Sequence, residues 1–348
     1  MGFFGKALQK IKLFVLYWRR IVFVKNNFKV NIFTKLRANI FGGFLGDQYV
    51  LYDFKHNDKK KYLSEFDWYR SRYINEPFDF AFNNKVVCAD ILSHYIKVAE
   101  NLFIKNKGIL YDFSTGMKQN EDIHQCLLQK GKLMIKPYAM GKGKGVHLLR
   151  AEKESLYIDS KPVSKEELFQ FLDKKQDFII CEYIRQHKYA DDIYDKTTNT
   201  IRLITLREPD THKNKVFFAV QRMGTSGTIP VDNGSKGGLV SKIDIETGRL
   251  TEAKCLHSLD TYETHPDSGT VLRGIEIPNW QAIKVQILEV ADKLPYMDFI
   301  AWDLLITEDG TVCVIEANTS SGVNIIQLWG GQRQEELGDF FRYYHVIK

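Results

Sequence analysis

No CxxC pair occurs in this chain, and its five cysteines (Cys88, Cys126, Cys181, Cys255 and Cys313) stand far apart. Neither a zinc ribbon nor a disulfide framework fits that spacing, and thiols so placed suit a reducing, cytoplasmic setting. Proline is sparse, and nothing proline-rich, low-complexity or repeated marks a linker. No apolar stretch approaches the roughly 18 residues that span a bilayer, and no small-residue site of signal-peptide type is present. Lys6 stands where a myristoylation signal carries Ser or Thr. The nine histidines show no zinc-binding spacing, and GxxxxGK[ST] is missing, which excludes a Walker loop. The most uneven shortage is of acid. Residues 1–46 hold nine Lys/Arg and no Asp or Glu, so a net charge of +6 conceals a body of −3.

What is present is enough apolar material, 44% of 348 residues, for a sizeable core and about two or three domains or subdomains. The basic arm, placed at 1–48, opens with Phe4, Ala7, Leu8, Ile11, Phe14, Val15, Trp18, Ile21 and Val22 at helical spacing. A basic amphipathic helix bearing Phe and Trp suits an anionic membrane interface; the same stripe equally suits packing on the protein's own body. No nucleic-acid-binding fold accompanies the charge, so nucleic acid is not an expected partner.

Beyond the arm, residues 50–82 read as short helices and loops. Asn84 begins a capped helix over 83–96, and 99–110 reads as a strand and turn. A short helix ends at Gly131. "KLMIKPY" (132–138) is a strand, Pro137 placing it at an edge or a strand end. Ser164 and Glu167 form a capping box for a helix over 164–175, and "DFIICEYI" is a buried strand. The second half alternates strands with short turns around one helix (280–294). That pattern predicts an antiparallel sheet with helices on one face, an α+β protein.

Two constellations carry chemistry. "KPYAMGKGKGVHLL" runs strand, glycine loop, strand, and so lacks the strand-to-helix setting of a dinucleotide fingerprint. Glycines at 141, 143 and 145 let backbone N–H groups approach an anion, and Lys136 at the strand end aims a charge at it. An ordinary hairpin with solubilising lysines has the same composition. The second constellation is "AWDLLITEDGTVCVIEAN". Glu316 and Asn318 share a strand face, and Asp303 on the neighbouring strand can join them. Two carboxylates and an amide suit Mg²⁺ completed by phosphate oxygens and water; a hydrogen-bonded polar patch is the alternative.

Together with "IICEYIRQH", "TTNTIRLITL", "VDNGSKGGLVSKIDIETG" and "THPDSGTVLRGIEIPNW", these segments resemble, in order and spacing, the ATP-grasp superfamily and within it the sugar-transfer-associated ATP-grasp family. The resemblance runs over about residues 83–330. It implies an ATP-grasp fold of two α+β subdomains gripping ATP: a pre-ATP-grasp region at 49–125, a small lid subdomain at 126–184 and a large subdomain at 185–348. Lys85 and Lys136 match the phosphate-holding lysines, and Gly141, Gly143 and Gly145 the flap. Glu182 and the Tyr183 backbone match the adenine-facing hinge. Asp303, Glu316 and Asn318 match ligands of one or two Mg²⁺ ions, with Mn²⁺ as a substitute. Arg202 matches the arginine at the transferring phosphoryl group, with Arg222 and Asn233 approaching the same phosphates. Asp191 or His187 is left for the ribose, and His265 falls in a segment near the substrate side. The glycine pattern of the usual N-terminal domain is missing, so that domain is expected to be reduced.

The activity so implied is ATP-dependent, ADP-forming ligation of a carboxylate to an amine through an acyl phosphate. The expected setting is surface polysaccharide synthesis, with a uronate plus an amino acid or amine, free or lipid-linked, at the cytoplasmic membrane face. Alternatives are a kinase on the same scaffold and a membrane-surface binding protein with a vestigial ATP site.

Overall fold

Runs of β-branched and aromatic residues broken by turn residues build two antiparallel sheets. The first contains β1 (Asn101–Asn106), β2 (Ile109–Asp112), β3 (Gly116–Met117), β4 (Lys132–Lys136), β5 (His147–Glu152), β6 (Ser155–Ile158), β7 (Lys161–Val163) and β8 (Phe178–Glu182), in spatial order β3-β2-β1-β8-β4-β5-β6-β7. The second contains β9 (Ile201–Arg207), β10 (Asn214–Met223), β11 (Leu239–Ile243), β12 (Leu250–Cys255), β13 (Thr261–Tyr262), β14 (Phe299–Ile306) and β15 (Val312–Asn318), in order β13-β12-β11-β10-β9-β14-β15. This computed structural model describes residues 3–114, 116–138, 145–153 and 155–348, excepting the side chains of 3–6, 41 and 235.

Helices α1 (Phe3–Tyr17), α2 (Ile32–Gly42), α3 (Gly46–Leu51), α4 (Glu65–Ser71), α5 (Asp79–Asn83) and α6 (Lys85–Ser93) precede the sheets. A π-helical turn, Trp18–Val22, continues α1. Helices α7 (Asn120–Lys130) and α8 (Lys165–Asp173) cover the first sheet. Their Ile123, Leu127, Leu168 and Leu172 meet Leu133, Ile135, Leu149 and Ile180 in one core. α9 (Lys188–Ile193) follows β8, α10 (Trp280–Asp292) interrupts the second sheet, and α11 (Val323–Ile326) and α12 (Glu336–Tyr343) follow β15. The capping box at Ser164 forms as the sequence predicts: its hydroxyl accepts from Glu167 N–H while the Glu167 carboxylate accepts from Ser164 N–H. Ser164→Ala should therefore cost about 1 kcal/mol, read as a drop in urea midpoint at unchanged slope.

Of the two placements that Pro137 allows, the structure takes the strand end: β4 lies between β8 and β5, and Pro137 follows its last residue, where no ladder N–H is needed. One expectation needs correction, since helices are not confined to one face of the second sheet. Trp302, Leu304 and Ile300 pack with α10 residues Trp280, Ile283 and Ile287 on one side. Phe299, Ala301 and Val220 pack with α12 residues Leu337, Phe340 and Phe341 on the other. A strand buried on both faces reads as a continuous apolar run, and β14 is buried at every position.

Candidate active site

The site begins where the apolar alternation of the second sheet gives way to charge. On β14, Phe299 and Ala301 belong to the α12-side core, and two residues further on the same face carries Asp303. The ladder places Asp303 directly opposite Glu316 on β15 and opposite Arg202 on β9. Asn318, two residues beyond Glu316, pairs in register with Ala301. Antiparallel register thus brings an aspartate, a glutamate, an asparagine and an arginine to one end of one face.

Asp303 is buried and heavily bonded. Arg202 Nε donates to its Oδ1 at 2.6 Å and Nη2 to its Oδ2 at 2.9 Å, and Arg222 Nη1 donates to Oδ1 at 3.1 Å. Burial alone would raise this carboxyl, but the two guanidiniums outweigh it and hold its pKa below the usual aspartate value. Arg222 also pairs with Asp232 at 2.8 Å. Asp232 Oδ2 accepts from the Thr200 backbone N–H at 2.7 Å and from its hydroxyl. The third donor of Arg202, Nη1, reaches the Ser321 hydroxyl at 3.4 Å.

A second group of cations reaches the site from the first sheet and from α6. Asn84 caps α6, its side-chain oxygen accepting from Val86 and Val87 N–H, which fixes Lys85 at the first helical position. Lys85 N–H donates to the carbonyl of Tyr138, just beyond β4, at 3.1 Å. Its ammonium meets Glu316 Oε2 at 3.1 Å. Lys85, Lys136 and Glu316 line one cleft, together with Cys88, Asn101 and Val314. Burial works against the Lys136 ammonium, but neighbouring Cys181 and Glu316 hold its pKa above the usual lysine value.

The remaining sequence candidates have local surroundings of their own. Gly145 has φ +72°, a left-handed conformation that favours glycine. Gly141 and Gly143 lie outside the described residues. Glu182 closes β8, and its Oε1 accepts from Glu100 N–H at 3.0 Å. The Tyr183 ring carries the Lys132 ammonium 5.0 Å from its centroid. Asn233 is buried in the loop before β11, next to Asp232, and its carbonyl accepts from Lys236 and Gly238 N–H. Asp191 accepts from Gln186 Nε2, and His187 Nδ1 caps α9.

His265 is fully committed to structure. Its Nε2 lies 2.8 Å from the Gly224 carbonyl, its Nδ1 accepts from Asp267 and Ser268 N–H, and its ring stacks on Tyr194. Burial pushes the Cys88 thiol up to about 11 and that of Cys313 up to about 12, so neither is a thiolate nucleophile near neutral pH. Asp232, Thr200 and Ser321 join this network without a sequence signal of their own. An aspartate in a turn-rich stretch such as "VDNGSK" is ordinarily solvated, and nothing local signals that its partner is Arg222.

The donor set fits Mg²⁺. Among the described residues no three His, Cys, Asp or Glu side chains gather where they could hold a metal ion. Two carboxylates facing each other in register, with one amide beside them, match an ion that takes one or two carboxylates and completes its shell with phosphate oxygens and water. Both carboxylates here are already neutralised by cations, Asp303 by arginines and Glu316 by Lys85.

The sequence model described as sugar-transfer associated ATP-grasp matches residues 67–336. No curated protein sequence matches the chain. Similar solved structures include D-alanyl-alanine synthetase A from Vibrio cholerae O1 biovar eltor (TM-score 0.44, 11% identity, covering 77% of this chain and 66% of that one). The ADP complex of N5-carboxyaminoimidazole ribonucleotide synthetase gives TM-score 0.40 and 15% identity, over 70% of this chain and 46% of that one. The ATP-grasp ligase PsnB with a precursor variant, Mg and ADP gives TM-score 0.38 and 13% identity, over 71% and 53%. The match thus spans only about half the length of the last two proteins. With its family model extending over residues 67–336, most of the sequence, the chain belongs to the sugar-transfer associated ATP-grasp family.

Proposed function

We propose that this protein is an ADP-forming carboxylate–amine ligase, and the observation that carries the proposal is the single cleft lined by Lys85, Lys136 and Glu316. It draws two ammonium groups from separate elements to the edge of a carboxylate-bearing sheet. A carboxylate is a poor electrophile because hydroxide is a poor leaving group. Transfer of the γ-phosphoryl group of ATP to a substrate carboxylate oxygen makes a new O–P bond, breaks the bond to ADP and creates an acyl phosphate. An amine then attacks the carbonyl carbon, the carbon–oxygen bond to phosphate breaks, and the amine's proton is lost as the amide forms.

Phosphoryl transfer asks the protein chiefly for positioning and charge neutralisation. Lys85 and Lys136 take the nucleotide phosphates, with Gly141, Gly143 and Gly145 as the flap over them. Glu182 and the Tyr183 backbone face the adenine. Asp303, Glu316 and Asn318 would hold Mg²⁺, which when bound neutralises and orients phosphate oxygens. Arg202 and Arg222, buried beside Asp303, offer planar forks suited to a phosphoryl or acyl-phosphate oxyanion, with Asn233 near Arg222. We assign the lid to 126–184, the larger subdomain to 185–348, the preceding region to 49–125 and the arm to 1–48. The substrate class proposed is a sugar uronate, free or lipid-linked, joined to an amino acid or amine during surface polysaccharide synthesis. The arm then brings the enzyme to the cytoplasmic face of a membrane.

A screen of uronates and amino sugars against amino acids, read as ADP and phosphate release, tests the proposal. Phosphate should appear only when carboxylate, amine and Mg²⁺ are all present. A stable phosphorylated product would instead make the protein a kinase, and nucleotide binding without turnover on any pair would refute the ligase.

A further inference from the structure

Helix α2 is amphipathic the wrong way round for a helix that serves only its own protein. Its inward positions are Ala38 and Asn39, both buried, and the Asn39 amide donates to the Ile21 carbonyl at 3.0 Å. Its outward positions are Ile32, Phe33, Leu36 and Ile40, spaced along one helical face, with Phe33 81% exposed. α1 does the same. Phe14 is 65% exposed and meets Trp18 edge-on at 6.3 Å, and Trp18 in turn lies 5.9 Å from exposed Phe23. Of the 21 exposed large hydrophobic side chains among the described residues, ten lie between positions 8 and 40. Scattered exposed apolar residues are normal, but this concentration on two adjoining elements marks a surface that something else covers.

The hairpin is not a loose tail. Ile21 is completely buried, the Tyr17 ring packs edge-on against Phe66 at 5.0 Å, and the Tyr17 hydroxyl donates to the Asn39 carbonyl. Asp47 accepts from Asn27 and Phe28 N–H and closes the base of the hairpin. One helix further on, Gln48 and Tyr52 both donate to Asn324 Oδ1, at 2.6 and 2.8 Å, in the segment that follows β15. The apolar face is therefore fastened to the body that carries Glu316 and Asn318.

Charge selects the occupant. Arg19 and Arg20 on the π-helical turn, Lys25 in the connection and Arg37 on α2 are all exposed, and no acid occurs before Asp47. A second copy of the chain would press like charges together. Nucleic acid would leave Phe33 and Phe14 in water. An anionic lipid surface satisfies both parts, basic side chains meeting headgroups while aromatic and aliphatic ones enter the acyl boundary. No described helix is long and apolar enough to cross a membrane, so the contact lies in the interface.

We infer that the α1–α2 hairpin is a built docking face for anionic bilayers, extending the basic arm to a second helix and fixing the orientation of the cleft relative to the lipid. The inference takes its purpose from the proposed membrane-held acceptor, but its test uses neither ATP nor acceptor, so either proposal can fail alone. Full-length protein is mixed with vesicles of phosphatidylcholine alone or with phosphatidylglycerol added, and flotation is measured across salt concentrations. Wild type should float with the anionic vesicles and be released by salt. Phe14→Ser with Phe33→Ser, both exposed, should keep the wild-type Tm while partitioning about tenfold or more weakly, as loss of two buried aromatic anchors requires. Arg19→Glu with Arg20→Glu should lose the preference for anionic vesicles. No flotation of the wild type would overturn the inference, as would equal flotation of the Phe14/Phe33 variant. So would a dimer in light scattering that these substitutions abolish, which would make the occupant a second copy.

Discussion

Lys136→Met is expected to lower ATP turnover by about 10²–10³-fold, the range seen when one preorganised charge-stabilising donor is removed from an active site. Methionine keeps the length and most of the volume of the side chain, so what is lost is the ammonium. The effect should be large because of where β4 puts it. β4 lies between β8 and β5, which holds its last residue rigidly at the edge of the cleft shared with Lys85 and Glu316. The charges gathered here are Lys85, Lys136, Arg202 and Arg222 against Glu316, Asp303 and Asp232, four cations to three carboxylates. That excess of one positive charge, to which Mg²⁺ would add two more when bound, is set against the triphosphate, and removing Lys136 erases the excess. Nucleotide affinity, measured by calorimetry with a non-hydrolysable ATP analogue, should weaken together with turnover. Near-normal turnover in Lys136→Met would remove Lys136 from the site and the cleft from the mechanism. Glu316→Gln is a companion case: it should abolish turnover while leaving analogue binding without Mg²⁺ less affected, since Lys85 and Lys136 remain.

Much of this was legible because local signals and tertiary structure agree. Asn84 is a good cap and does cap, so the helix that presents Lys85 could be placed from sequence. The alternation of β15 put Glu316 and Asn318 on one face, and a hairpin turn closed by Gly310 brought Asp303 opposite. What could not be read depends on partners distant in sequence. Proline cannot donate to a ladder, so Pro137 allows either an edge or a strand end, and only the partners on both sides of β4 decide for the end. His265 stands within a family segment, yet its two ring nitrogens serve backbone atoms from Gly224 and from its own turn. The stripe of α1 is legible in the sequence, but nothing local marks α2 as part of the same surface. Its outward face holds four large apolar residues and its inward face a small one and an amide, the reverse of what burial ordinarily dictates. Asp232 is hidden in the sequence for a similar reason: only the fold puts Arg222 beside it.

The Arg202–Asp303 pair yields the second large effect, because stability and catalysis can be separated there. Asp303→Ala should destabilise the fold by about 3–5 kcal/mol, the cost of leaving a buried charged partner uncompensated. Here two guanidiniums lose their acceptor at once, since Arg202 donates to both carboxylate oxygens and Arg222 to one of them. Arg222 keeps Asp232, so Arg202 bears most of the loss. Pairing Asp303→Leu with Arg202→Met removes both charges and fills the volume with apolar groups. A buried ion pair replaced in that way often costs little, so the double variant should recover most of the stability lost in Asp303→Ala. Its turnover should stay abolished, because neither an oxygen ligand nor a guanidinium remains for the phosphoryl chemistry. Urea unfolding of wild type, Asp303→Leu, Arg202→Met and the double variant gives the coupling energy, and ADP release on the same samples gives the activity. A double variant that is both stable and active would make the pair a structural device and empty the proposed metal and phosphoryl site of two of its members. One that is stable and inactive would mean that the protein keeps a costly buried charge pair at the centre of a sheet for the sake of the reaction.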